Sequence, residues 1–423
     1  MIQRNLTSTL RDALSDRPIV LLAGARQSGK STLAQSLLDG HAASYLTLDD
    51  ATVLAAVDQD PQGFLAGLGG GPVVLDEVQG APGLFPALKL AVDRDRTPGR
   101  FLLTGSADVF LLPTVSESLA GRMEILTLWP LSQGEAEGVV EGFVDALFSR
   151  SFQPPPTAPL ERADLLRRIL QGGFPEPRTK SSPARLRAWF ASYVTTILQR
   201  DVRDLASIEN LTALPRLLSL LAARAAGLLN YAELSRSSGL PVSTLKRYFS
   251  LLEATFLIQE LPAWSSNLSK RLVKAPKVFP VDSGLLCFLQ GINESRLEEE
   301  PTLLGPLLEA FVLMEIRKQI GWSQTAPALF HYRTQTGQEI DLLLEDAAGR
   351  VAGVEVKGSA SVQERDVRAL QDLAAALGPR FVRGVVLYLG EKVVPFGEKV
   401  LAVPLPALWR YQQEENRRPA GGG

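Results

Sequence analysis

IVLLAGARQSGKSTL, residues 19–33, sets a continuous apolar run, a glycine-bounded loop and a helical pattern end to end. Five apolar residues in succession, Ile19 to Ala23, suit a strand buried on both faces of a parallel sheet, and Leu33, Leu37 and Leu38 then recur at helical spacing. Between them Gly24, Gly29, Lys30 and Ser31 fill the fixed positions of G-x-x-x-x-G-K-[ST]. The two glycines permit a tight turn, so that backbone N–H groups along Gly24, Ala25, Arg26, Gln27, Ser28, Gly29, Lys30, Ser31 and Thr32 converge on phosphates at a helix start. Lys30 is expected to reach the β/γ-phosphates and the Ser31 hydroxyl to ligate Mg²⁺.

Outward from this loop, short apolar strands alternate with helical patterns up to about residue 130, which implies a parallel sheet covered on both faces. The expected strands are Ile19 to Ala23, Tyr45 to Leu48, Val73 to Leu75, Phe101 to Thr104 and Ile125 to Leu128. The third ends in Asp76 and Glu77, at the carboxyl edge where open α/β sheets bind ligands. Asp76 fits an outer-sphere Mg²⁺ ligand, and Glu77 the base that polarises an attacking water. Thr104 and Ser106 emerge at the same edge, where Thr104 is expected to hold that water.

At 423 residues, with 45% hydrophobic and 21% charged, the chain is an ordinary globular composition of two or three domains. One cysteine and two histidines exclude a disulfide framework and are too few for a four-ligand Cys/His zinc site, so the cytoplasm is the expected compartment. No apolar run reaches the roughly 18 to 20 residues of a membrane span. A net charge of −2 gives no global sign of nucleic-acid binding, so any basic surface must be local.

GARQSGKSTL, YLTLDD (45–50), VVLDEVQ, LLTGSAD, SESLAGR (116–122), WPLSQGE and GGFPEP (172–177) follow one another along most of the chain. In this combination the sequence resembles the AAA-type ATPases of bacteria and archaea that carry a C-terminal domain of unknown function. The resemblance implies an AAA+ fold, ATP and Mg²⁺ as cofactors, and a homo-oligomeric ring such as a hexamer. An arginine from a neighbouring subunit then stabilises charge on the transferring phosphoryl group; Arg122 of SESLAGR is the first candidate and Arg200 the second.

Residues 137–160, with Pro154 to Pro156, read as a connection, and 161–225 repeat apolar positions three or four apart, as the helical lid of such a module would. From Leu228 the pattern changes to two short helices, Tyr231 to Ser237 and one capped by Ser243, around a turn at Gly239. Two β-like runs, FLIQEL and KVFPVD, follow, giving a winged helix-turn-helix pattern. Eight Lys/Arg against three Glu between Arg224 and Lys277 leave a local surplus of five positive charges. DNA is the expected partner, contacted by Lys246, Arg247, Lys270, Arg271 and Lys274.

Between about 300 and 408, Glu309 lies in a helical pattern, Asp341 in an alternating strand, and Glu355 and Lys357 two apart on the next strand. Two carboxylates and a lysine so arranged suit metal-assisted phosphodiester cleavage. Here the chain resembles the PD-(D/E)XK restriction-endonuclease-like fold, with Glu309, Asp341, Glu355 and Lys357 at the matching positions. The expected organisation is an AAA+ core (1–136), linker and lid (137–225), winged helix (226–299), endonuclease-like domain (300–408) and disordered tail (409–423). Three functions stay open: an ATP-driven remodeller of duplex or branched DNA such as Holliday junctions, an ATP-regulated nuclease, and a protein-binding adaptor.

Overall fold

The computed structural model describes residues 2–37, 44–106, 119, 121–156, 158–180, 182–202, 212–267, 271, 274–334 and 336–412. Its amino-terminal part is a five-stranded sheet of β1 (Ile19–Ala23), β2 (Ser44–Thr47), β3 (Val73–Asp76), β4 (Phe101–Gly105) and β5 (Met123–Thr127), in the order β2-β3-β4-β1-β5. Every pairing is parallel. β1, β3 and β4 are buried along their whole length, as their unbroken apolar runs require, whereas the edge strands β2 and β5 are partly exposed. This order places β4 between the strand that feeds the glycine-bounded loop and the strand that ends in the acidic pair. All five strands expected from the sequence are present, each within two residues of its expected bounds.

Gly24 cannot be replaced cheaply. Its φ is +153°, and an added Cβ would lie 2.3 Å from the Leu128 carbonyl oxygen. Gly29, at φ +98°, opens the helix Lys30–Ser36 from a left-handed conformation.

The stretch expected as a plain connection contains the helix Phe143–Phe148, whose apolar residues join the core beneath the carboxyl-terminal sheet. Helices Arg162–Gln171, Pro183–Thr196 and Ala213–Ala222 follow, the second running on into a π-helical turn, Ile197–Asp201. The helix Tyr231–Ser238 ends at Gly239 in the left-handed conformation, and the next helix, Val242–Ala254, begins before the cap expected at Ser243. Pro241 stands at its N-cap and no side chain caps it, the fixed φ of proline being already suited to a helix start. β6 (Ile258–Leu261) and β7 (Lys277–Pro280) then form a two-stranded antiparallel ribbon.

The last unit is a mixed six-stranded sheet, ordered β12-β13-β11-β10-β9-β8, built from β8 (Ala328–Arg333), β9 (Glu339–Glu345), β10 (Val351–Lys357), β11 (Phe381–Tyr388), β12 (Val394–Pro395) and β13 (Val400–Pro404). The helix Leu304–Ile320 contributes a nearly continuous buried face to the same core. The boundary expected at 409 falls inside packed structure. Trp409 is fully buried against Phe311 and Arg168, and the half-buried Tyr411 stacks on Phe152, because packing these two large aromatic rings outweighs the fraying expected of a tail. Among the described residues no helix is long and apolar enough to cross a membrane.

Candidate nucleotide site and carboxyl-terminal charge cluster

The loop residues from Arg26 to Thr32 border a cavity of about 920 Å³, also lined by Arg4, Arg11, Glu77 and Pro175. Lys30 lies against this wall with its ammonium donating to the Gly24 and Ala25 carbonyl oxygens, both at 3.0 Å. Burial lowers its pKa to about 8, a fall that the nearby Glu77 and Asp76 only partly oppose. The Ser28 hydroxyl is buried with no hydrogen-bond partner among the described residues. A desolvated cation, an orphaned hydroxyl and two glycines that admit close backbone approach are the groups that a bound polyphosphate would satisfy, so the residues present fit a nucleotide.

Asp76 ends β3 and collects hydroxyl groups. Ser31 donates to both its oxygens at 3.0 and 3.1 Å, Tyr45 donates to Oδ2 at 2.7 Å, and Thr104 donates to Oδ1. Ser31 and Asp76 are thus together where a nucleotide's Mg²⁺ would sit. Glu77 adopts φ +58°, a left-handed conformation uncommon outside glycine, directly after β3. That carboxylate accepts from Ser106 Oγ at 3.0 Å and from the Gln79 amide.

Thr104 takes a different part from the one expected. It is fully buried, its proton goes to Asp76 and its oxygen accepts the Glu77 N–H at 3.3 Å, so it braces the acidic pair from below instead of facing a water. Ser106, two residues further along and just past the end of β4, is the hydroxyl that reaches the Glu77 carboxylate.

Two braces around the loop had no sequence signal. Arg4 donates to the Ser28 carbonyl and the Trp129 carbonyl, each at 2.7 Å, and pairs with Glu135 at 3.0 Å. Arg26 reaches Asp201 on the π-helical turn at 2.8 Å, joining the loop to the helical segment that follows the core. π-helical turns of this kind recur at functional sites.

The YLTLDD stretch also resolves into separate duties: Tyr45 binds Asp76, Asp49 pairs with Arg200 at 3.2 Å, and Asp50 caps the helix Ala51–Gln59.

Arg122 precedes β5 and so stands at the amino-terminal edge of the sheet, opposite the loop, where it pairs with Asp93 at 2.7 Å. It cannot reach the nucleotide site of its own chain. Arg200, by contrast, lies on the loop side through its pair with Asp49.

The basic segment is less available than its count implied. Lys277 is only 2% exposed and donates to Glu309 at 2.7 Å and Glu339 at 2.6 Å. Arg271, expected on DNA, is instead held between Trp264 and Phe330 and pairs with Glu345 at 2.6 Å, because the ribbon packs against the edge of the carboxyl-terminal sheet. Lys274 donates to the Arg333 carbonyl but stays at the surface, and Lys246 and Arg247 lie on the exposed face of their helix. Lys270 lies outside the described residues.

In the carboxyl-terminal unit, antiparallel β9 and β10 bring Asp341 beside Glu355: Asp341 Oδ2 accepts from the Val356 N–H at 2.8 Å, and the Asp341 N–H points to Glu355 Oε2 at 3.4 Å. Lys357 donates to Glu355 at 2.9 Å. The expected four, Glu309, Asp341, Glu355 and Lys357, are therefore neighbours, joined by Lys277 and Glu339. Burial, reinforced by Asp341, pushes the Glu309 and Glu355 carboxyls up to about 8. Among the described residues, however, no three carboxylate, imidazole or thiol groups are arranged to hold a metal ion. The Lys277 ammonium stands among these acids.

Family comparison matches residues 16–137 to an AAA domain, 162–296 to a domain of unknown function (DUF8612) and 304–408 to another (DUF4143). The uncharacterized proteins Rv2008c of Mycobacterium tuberculosis and Mb2031c of Mycobacterium bovis are each 35% identical over 410 residues, spanning 95% of this chain and 83% of theirs. Among solved structures, a Walker-type ATPase of Pyrococcus abyssi aligns over 69% of this chain and 96% of its own, at 16% identity and a TM-score of 0.44. A Thermotoga maritima Holliday junction branch migration motor aligns over 61% and 89%, at 18% and 0.30.

Proposed function

The chain belongs to the family of AAA-domain ATPases that includes the mycobacterial proteins Rv2008c and Mb2031c, and from that premise we propose that it is an ATP-driven remodeller of DNA that binds without cutting. Ser31 and Asp76 hold Mg²⁺ with the nucleotide, which offsets charge on the β/γ-phosphates. Lys30 binds the same phosphates, and Glu77, kept in place by Ser106 and Gln79, accepts the proton of the attacking water. Arg122 acts across a subunit boundary in a homo-oligomeric ring, for which its position on the far edge of the sheet is the support.

The observation that favours DNA over a protein target is the face of the helix Val242–Ala254. Ser243, Lys246, Arg247 and Ser250 lie exposed along it, while Leu245, Tyr248, Phe249 and Leu252 bury the other side. A helix after a tight turn, with basic and hydroxyl side chains outward, suits phosphates and groove edges. Motion of the ATPase core can reach the carboxyl-terminal unit through buried polar contacts. The Gln133 N–H donates to Glu315 at 2.7 Å and Lys318 to the Leu131 carbonyl at 2.9 Å, both acceptor and donor side chains lying on the helix that carries Glu309. Against cleavage stands Lys277, whose ammonium neutralises the acids that a metal would need.

ATPase rate measured with single-stranded, duplex and four-way DNA tests the reading. Stimulation by at least one of them is expected, with a binding-salt slope lowered by about 2 in Lys246→Ala/Arg247→Ala. An ATPase indifferent to every DNA would favour a protein adaptor. Nicking in Mg²⁺ or Mn²⁺ that disappears in Asp341→Asn would favour the nuclease.

A further inference from the structure

Three hydroxyls hold the Asp76 carboxylate, and they come from three separate elements: Ser31 from the loop helix, Thr104 from β4 and Tyr45 from β2. Their situations differ. The Ser31 hydroxyl is itself the motif's metal ligand, so its bond to Asp76 competes with ligation. Thr104 serves two groups at once, since it also accepts the Glu77 N–H. Tyr45 lies beside β3 in the parallel pair, opposite Val74, and reaches past the strand end to Asp76 Oδ2 at 2.7 Å. On a partly exposed edge strand its hydroxyl had water available as a partner, yet it is directed at a carboxylate.

We propose that Tyr45 is a positioning residue for the metal site, fixing the rotation of the Asp76 carboxylate through Oδ2 so that Ser31 is released to the metal without Asp76 turning away. The inference rests on the reading that Ser31 and Asp76 hold the nucleotide's Mg²⁺. Partners of this outer kind commonly change metal affinity 10- to 100-fold when removed.

The test uses Tyr45→Phe in the full chain, which keeps the ring and deletes the donor. Affinity for a fluorescent ATP analogue is measured in Mg²⁺ and in EDTA, and thermal unfolding without ligand is recorded alongside. The expected result is an unchanged melting temperature, unchanged affinity in EDTA, and a Mg²⁺-dependent gain in affinity cut by about 10-fold relative to wild type. Equal gains in the two proteins would overturn the role of Tyr45 alone. A loss of the same size with and without Mg²⁺ would also overturn it, by assigning the residue to the fold. A wild type whose affinity ignores Mg²⁺ would remove the metal reading itself and the inference with it.

Discussion

Lys30 and Lys277 are both buried ammonium groups, and they end in opposite conditions. Lys30 faces two carbonyl oxygens and a cavity of about 920 Å³, and burial lowers its pKa to about 8. Lys277 is desolvated as well, which alone would lower its pKa, but Glu309 and Glu339 within 2.7 Å carry it above the usual lysine range. The first cation has acids nearby but no carboxylate in ion-pair contact among the described residues, and it has space beside it for an anion. The second already has two. A buried lysine with only dipoles for partners is prepared for an anion yet to arrive, whereas one between carboxylates is a finished salt bridge.

Removing the lysine at each site should therefore give different losses. Lys30→Ala is expected to abolish nucleotide binding and with it turnover, read as loss of fluorescent-nucleotide affinity, while the ligand-free chain melts no earlier than wild type. Its neighbour separates binding from chemistry: Glu77→Gln should bind ATP as wild type does and hydrolyse it about 100- to 10,000-fold more slowly. Lys277→Met should leave ATP affinity alone and instead destabilise the chain by about 3 kcal/mol in urea unfolding, because the mostly enclosed Glu309 and the partly exposed Glu339 lose their cation. Adding Glu309→Gln and Glu339→Gln to it should return part of that loss. A Lys277→Met chain as stable as wild type would break the contrast.

The two sites should also differ in pH response. Glu355 titrates near 8 in the folded chain against an ordinary value of 4.5, so between those limits the folded state holds a proton that the unfolded state has released. Stability accordingly falls as pH rises through that window. For Lys30, about 8 folded against 10.5 unfolded, the unfolded state holds the extra proton, and stability rises with pH from 8 toward 10.5. Urea midpoints at pH 5, 8 and 10 should show both slopes, with Glu355→Gln flattening the first and leaving the second. The smallest effect is expected at the surface: Arg200→Ala, which breaks the exposed pair with Asp49, should leave the urea midpoint unchanged.

What was legible in the sequence lies within short stretches of chain. The run from Ile19 to Ser31 determined strand, loop and helix start, since each step depends on residues a few positions apart, and PVVLDE determined the acidic pair at a strand's carboxyl end. The placing of Asp341 on one strand and of Glu355 and Lys357 two apart on the next was legible in the same local way. Tertiary structure alone decided what surrounds them. Tyr45 reaches Asp76 across 31 positions, Arg4 reaches Glu135 across 131, and Lys277 joins Glu309 across 32. Such partners leave no periodicity or motif, because a side chain's charge is written in the sequence but its distance from an opposite charge is set by how distant elements pack. Lys277 counted as basic surface until the ribbon and the helix Leu304–Ile320 enclosed it, and Trp409 as tail until Phe311 and Arg168 covered it.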